Sequence, residues 1–426
     1  MYGEEMIRDV LLIQKRELQL RIKEEYIERS AALPQIDSGL IKVIMGPRRA
    51  GKSFYAFHAL NKAGNFGYAN FDDEKLVGVK DYEHIVLALN TLYQNPKYLL
   101  FDEIQNLPEW ELFVNRLQRQ GYHIVITGSN SKLLSREMAT HLTGRHELLT
   151  ILPLSFREII LHENKEMTST EIRERLLHYL TNGGYPEPMI KKLDYSEYLS
   201  LLVNSTLYKD IVKRFKIRYV QALEDIAVYL ISNIASEFSY NTLRRISRLQ
   251  SIHTVQNYLS YLEEAFLLFR VDRFSYKIKE QITSNKKIYC IDNGLIHAKA
   301  FRFSSNKGRL LENLVAIELK KWEMDGRIRL YYWKNPQQEE VDFVLWQGDK
   351  SIQLIQVCYD IDDPKTKSRE IRALLKASRE LACNNILIIT EGYENEEQAE
   401  WFGIRGTLKY VPLWKWLQNP QTPGWN

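Results

Sequence analysis

The stretch Gly46-Pro47-Arg48-Arg49-Ala50-Gly51-Lys52-Ser53 decides the reading of this chain. It has the spacing G-x-x-x-x-G-K-S. It follows the apolar run Leu40 to Met45 and leads into Phe54-Tyr55-Ala56-Phe57-His58-Ala59-Leu60, which can continue as a helix. Strand, glycine loop and helix in that order are the context of a phosphate-binding loop. The glycines let the backbone curl so that N–H groups point inward, and the helix N-terminus adds free donors and partial positive charge. On this reading Gly46, Pro47, Arg48, Arg49, Ala50, Gly51, Lys52 and Ser53 cradle the phosphates of ATP. Lys52 reaches the outer phosphates and the Ser53 hydroxyl holds Mg²⁺.

Further along, Lys97-Tyr98-Leu99-Leu100-Phe101 runs into Asp102-Glu103. An apolar run ending in two acids reads as a buried parallel strand that delivers carboxylates at its C-terminal end. Asp102 is placed to bind Mg²⁺ and Glu103 to act as general base on the attacking water. A complete β-α unit lies between the loop strand and this one. That suits NTPases whose acid strand is inserted next to the loop strand and carries a catalytic glutamate. Tyr122 to Thr127 reads as another buried strand, and it ends in Gly128-Ser129-Asn130-Ser131. Ser129 or Asn130 can touch the γ-phosphate or the lytic water from there, and the amide of Asn130 is favoured. Arg145 follows at a position where a neighbouring subunit can meet it, as a trans-acting arginine that stabilises transition-state charge.

At 426 residues, 45% hydrophobic and 26% charged, the chain has core enough for two or three soluble domains. No run approaches a membrane span, and the acidic start Met1-Tyr2-Gly3-Glu4-Glu5 has no apolar signal core. Cys290, Cys358 and Cys383 are widely spaced, which suggests a reducing cytoplasm and no zinc site. The net charge is only +4, yet Ser205 to Leu310 carries 18 Lys/Arg against 9 Asp/Glu. That local surplus points to a polyanion contact or to a solvated basic surface.

The basic segment has its own pattern. Helices are expected at Ala222 to Ala235, from Ser239, and at Ile252 to Glu263, with a strand from Leu267 to Phe274. Helix, helix, turn, helix and strand read as a winged helix-turn-helix whose recognition helix is about 252–264. A DNA contact then places His253, Thr254, Gln256 and Asn257 toward bases and Arg244, Arg245 and Arg248 on phosphates, with Arg270 and Arg273 on the wing. The competing reading is a rigid packing module for a partner protein.

The phosphate loop, Leu99-Leu100-Phe101-Asp102-Glu103-Ile104-Gln105, Ile126-Thr127-Gly128-Ser129-Asn130 and Gly144-Arg145 through Leu152-Pro153-Leu154-Ser155-Phe156-Arg157-Glu158 together resemble the prokaryotic AAA-type ATPases that carry a C-terminal domain of unknown function. Residues 285–345 resemble that C-terminal domain, so the likeness spans nearly the whole chain. It implies an oligomeric ATPase with a helical lid around Thr181-Asn182-Gly183-Gly184-Tyr185-Pro186. The C-terminal order of helix, three strands, helix and strand, with Glu312 and Asp342, resembles the restriction-endonuclease core. Such nucleases need E-x-K or Q-x-K on a strand; here the triplet is Gln356-Val357-Cys358, and a cysteine cannot replace a cationic lysine. The expected architecture is therefore α/β throughout. An ATPase domain with lid spans 1–215, a winged helix 216–280, and a nuclease-like domain without cleavage activity 281–426. The expected activity is Mg²⁺-dependent ATP hydrolysis by a cytoplasmic homo-oligomer acting on DNA; the alternative is a nucleotide-controlled switch that binds protein.

Overall fold

The computed structural model describes residues 2–129, 145–300 and 307–420. The chain packs as two units, Met1–Pro153 with Glu264–Phe266, and Leu154–Glu263 with Leu267–Asn426.

The first unit is built on a five-stranded sheet of β1 (Ile41–Met45), β2 (Phe66–Asn70), β3 (Tyr98–Asp102), β4 (His123–Gly128) and β5 (His146–Thr150). Their order is β2-β3-β4-β1-β5, and every pairing is parallel. β1 and β3 are buried along their whole length, which explains their unbroken apolar composition. The exceptions are Asp102 at the end of β3 and Lys42, 1% exposed, whose ammonium pairs with Glu147 at the matching register of β5 and donates to Ser38 Oγ. β4, rather than β3, adjoins β1. The acid strand is therefore one place further from the loop strand than the sequence order suggested, and the strand ending in Gly128-Ser129 lies between them. The crevice that α/β sheets use for ligands opens at these C-terminal strand ends.

An N-terminal helix spans Tyr2–Arg21. Ile7, Val10, Leu11, Gln14 and Leu18 form its buried face, at helical spacing. Gln14 both donates to the Asn70 carbonyl and accepts the Asn70 N–H, which pins the end of edge strand β2.

In the second unit one sheet of nine strands runs in the order β13-β14-β12-β11-β10-β9-β7-β8-β6. The strands are β6 (Ser236–Phe238), β7 (Leu268–Arg273), β8 (Lys286–Cys290), β9 (Arg329–Lys334), β10 (Glu340–Gln347), β11 (Lys350–Cys358), β12 (Ile386–Thr390), β13 (Asn395–Trp401) and β14 (Ile404–Pro412). Pairings β7·β9, β11·β12 and β12·β14 are parallel and the others antiparallel. The helix Pro364–Glu380 supplies the crossover between β11 and β12. It starts on a Pro, with the Asp363 carboxylate accepting from the Thr366 N–H at 3.0 Å, and it buries Ala373, Leu374, Leu375 and Ala377.

Two expected boundaries fall differently in the structure. The helices after Pro153 pack with the second unit, so the first unit closes well before residue 215. The close fit of Gly184 explains this: its N–H donates to Asp292 Oδ2 at 2.7 Å and its carbonyl accepts the Leu154 N–H at 2.7 Å. The division expected at 280 cuts through a continuous sheet, because β7 pairs with both β8 and β9. The α-helix Tyr195–Ser205 widens into π-turns over Thr206–Lys213.

Candidate functional site

The phosphate loop leaves β1 at Gly46, whose φ is +153°. A Cβ there would lie 1.9 Å from the Ile151 carbonyl oxygen, so only glycine fits between the loop and the segment after β5. Gly51 precedes the helix Lys52–Ala63 at φ +92°. Lys52 is buried, and its Nζ donates to the carbonyls of Gly46 at 3.1 Å and Pro47 at 2.9 Å, which holds the ammonium over the loop. Arg29 contributes a brace that sequence reasoning missed. Its guanidinium donates to the carbonyls of Ala50 and Leu152, tying loop and β5 exit together. A cavity of about 270 Å³ beside the loop helix is lined by Arg29, Tyr55 and by Tyr26 stacked on His58 at 4.0 Å.

The two acids meet the loop through hydroxyls. Ser53 Oγ donates to Asp102 Oδ1 at 2.9 Å, and Tyr68 OH reaches Asp102 Oδ2 at 3.3 Å. Thr127 on β4 also donates to Asp102 Oδ1, and its oxygen accepts the Glu103 N–H at 3.2 Å. Thr127 thus orients both acids at once, a role with no local sequence signal. Burial raises the Asp102 carboxyl above its ordinary range and the neighbouring Glu103 charge adds to this, while the bonds from Thr127 and Ser53 and the charge of Lys52 oppose it. Glu103 takes a left-handed backbone, φ +50°, which is costly for a side chain of its size and turns it away from the strand path. Its Oε2 accepts from Ser129 Oγ at 3.1 Å and from the Gln105 amide.

Hydroxyl and carboxylate oxygens side by side are hard donors suited to Mg²⁺. Among the described residues no three His, Cys, Asp or Glu side chains gather to hold a metal by themselves. An ion at Ser53 and Asp102 would therefore complete its shell with water and phosphate oxygens. Asn130 lies outside the described residues. Arg145 is exposed at the start of β5, and its carbonyl accepts the Ile41 N–H at 3.0 Å.

In the basic segment the helix Ile252–Glu264 buries Val255, Tyr258, Leu259 and Leu262. His253 and Gln256 are exposed and Thr254 and Asn257 half-buried, with the Asn257 amide 3.3 Å from His253 Nδ1. Arg245 and Arg248 are exposed and Arg244 half-buried. Arg270 and Arg273 differ from expectation. They lie on β7, an interior strand, where Arg270 pairs with Glu263 at 3.5 Å and donates to Tyr240 OH at 3.0 Å, and Arg273 donates to the Lys334 carbonyl. Both are committed within the fold and do not project as a wing.

A parallel sheet of this order with a G-x-x-x-x-G-K-S loop and an Asp-Glu strand end defines an AAA-type P-loop fold, and residues 38–160 match the AAA domain. Residues 173–306 and 307–416 match two domains of unknown function, DUF8612 and DUF4143. The chain belongs to the family of the uncharacterized protein MJ1544 of Methanocaldococcus jannaschii, to which it is 38% identical over 97% of its own length and 94% of the relative's. An uncharacterized protein of Haemophilus influenzae is 31% identical over 80% of this chain and 87% of that one. Among solved structures, the Walker-type ATPase PABY2304 of Pyrococcus abyssi aligns with 61% of this chain and 90% of its own at 14% identity and a TM-score of 0.41, a likeness too slight to argue from. Among the described residues no helix is long and apolar enough to cross a membrane.

Proposed function

We propose that the protein is a Mg²⁺-dependent ATPase that works as a homo-oligomer and acts on DNA through its second unit. The carrying observation is the 2.9 Å bond between Ser53 Oγ and Asp102 Oδ1, which brings loop and acid strand to one point beside the Glu103 carboxylate. Backbone N–H groups of residues 48–53 and the Lys52 ammonium bind the phosphates, and Ser53 and Asp102 hold the cation. Mg²⁺, when bound, offsets charge on the transferring phosphoryl group. Glu103, steadied on one oxygen by Ser129 and Gln105, keeps the other to accept a proton from the attacking water. Asn130 is the proposed polar contact to that water or to the γ-phosphate. Exposed Arg145 is the proposed arginine supplied to a neighbouring protomer's site.

The sheet order β7-β8-β6, behind the helices Val220–Ser232, Tyr240–Ile246 and Ile252–Glu264, supports a winged-helix reading. Exposed Arg245, Arg248, His253 and Gln256 support a DNA-facing surface, with Arg244, Thr254 and Asn257 beside them. The helix Lys307–Met324, antiparallel β9-β10-β11, the crossover helix and parallel β12 support a restriction-endonuclease-like core. The engagement of Arg270 and Arg273 inside the sheet favours the second reading, a nucleotide-controlled switch for a protein partner.

Steady-state ATP hydrolysis with duplex, branched and single-stranded DNA at two salt concentrations tests the choice. Salt-sensitive stimulation by one DNA form is expected. Hydrolysis indifferent to all three would move the assignment to the switch. Turnover that survives Lys52→Ala and Glu103→Gln would sink both readings.

A further inference from the structure

A restriction-endonuclease-like core implies a divalent cation at Glu312 and Asp342, and the residues around them do not fit one. Lys287, on β8 and 2% exposed, sends its Nζ to Glu312 Oε1 at 2.9 Å, Asp342 Oδ1 at 2.9 Å and Glu340 Oε1 at 2.5 Å. An ammonium has three N–H donors, and here three carboxylates receive them. Further bonds hold the same carboxylates. Asp342 Oδ2 accepts the Val357 N–H at 3.0 Å, and Glu312 Oε1 also accepts from Tyr289 OH at 2.7 Å. The Gln356 side-chain oxygen, which the Q-x-K pattern would aim at a metal, instead accepts the Asp342 N–H at 3.1 Å, while its amide donates to Glu370 at 2.7 Å. Burial pushes the Cys358 thiol up to about 12, so no thiolate takes part.

We propose that the Lys287 ammonium is the resident cation of this centre, standing where such a core would hold a divalent metal, so that the C-terminal unit keeps its carboxylates together without metal and does not cleave phosphodiesters. The proposal rests on the restriction-endonuclease-like reading of this core. Charge supports it. Lys287 stands opposite Glu312, Glu340 and Asp342, and Lys334 is shared between Glu340 at 3.5 Å and Glu237 at 3.0 Å. Burial, and then the Asp342 charge, holds the Glu312 carboxyl well above the usual carboxylate range, while Lys287 opposes the shift. The Lys287 ammonium thus supplies positive charge within hydrogen-bond reach of all three carboxyl groups, at the point where a dication would otherwise sit. The cluster forms the floor of an open cleft of about 450 Å³ that Arg309, Arg369 and Arg372 also line. The cleft remains available for contact, while its floor is closed by side-chain bonds.

The test is Mn²⁺ binding followed by paramagnetic resonance, without nucleotide, in the full-length protein and its Asp342→Asn and Lys287→Ala variants, with nicking of supercoiled plasmid in parallel. The wild type is expected to show no Mn²⁺ site that Asp342→Asn removes, and no nicking. Lys287→Ala, which leaves the carboxylates without their cation, is expected to melt lower, to bind Mn²⁺ about tenfold or more tightly than the wild type and to recover melting temperature with it. Asp342-dependent Mn²⁺ binding or nicking by the wild type overturns the proposal and leaves the nuclease-like reading standing. A folded Lys287→Ala variant with no gain in Mn²⁺ binding overturns both. If Lys287→Ala does not fold, the wild-type and Asp342→Asn arms still decide the proposal.

Discussion

Thr127→Val removes one hydroxyl and keeps the β-branched shape, so it isolates the hydrogen bonds that join the two acids. Thr127 is fully buried, and water does not reach the gap left behind. One bond lost goes to the Asp102 carboxylate, and bonds to charged groups contribute about 1.5–3 kcal/mol. The other partner, the Glu103 N–H, is left with a desolvation cost of about 1–3 kcal/mol. If about 3 kcal/mol of that sum is lost from the aligned transition state, turnover falls by roughly 100-fold. ATP affinity should change much less, because the loop N–H groups and Lys52 are untouched. Losing a bond that favours the ionised form also moves the Asp102 carboxyl further up, so the acid limb of the pH–rate profile shifts to higher pH. The assay is kcat and nucleotide affinity measured across pH 5 to 9, with Thr127→Ser as the control that restores the oxygen. A Thr127→Val enzyme with kcat within threefold of wild type and an unmoved profile would refute the anchoring role.

Gly184→Ala would place a Cβ 2.0 Å from the Leu154 carbonyl oxygen, and a backbone shift costing about 2–4 kcal/mol is expected, read as a lower melting temperature. Gly392→Ala, with nothing within 4 Å, is the silent comparison. Asp292 has its pKa raised by burial to about 7, against 3.8 for the unperturbed group. Between those values the folded chain keeps a proton that the unfolded chain has lost, so this group's contribution to stability falls as pH rises from about 4 to about 7, by up to roughly 4 kcal/mol. Urea midpoints across that range should show a shallower decline for Asp292→Asn than for wild type; parallel curves would exclude Asp292 as the source. Arg245→Ala and Arg248→Ala should each lower the salt slope of DNA binding by about one, and an unchanged slope would remove them from the interface.

Short-range chemistry was legible in the residues themselves. A glycine loop must sit between strand and helix, an apolar run that ends in Asp102-Glu103 must surface at a strand end, and a 3.6-residue apolar period outlined the helix Ile252–Glu264. Each of these depends on neighbours within one turn or one strand. Pairing across the chain was not legible. The insertion of β4 between β1 and β3, which places Thr127 against both acids, depends on parallel registers between segments about 25 residues apart or more. Arg270 and Arg273 looked like wing cations because their strand's second neighbour, β9, lies more than 50 residues downstream. Lys287 carried no motif, and it became a counter-ion only when the sheet set β8 and β10 around the helix that holds Glu312. The sequence by itself determined the phosphate loop and the strand end that serves it, because both are local geometry. Tertiary structure alone decided which buried charges meet, because the cost of desolvating a charge is met only by partners that the whole fold assembles.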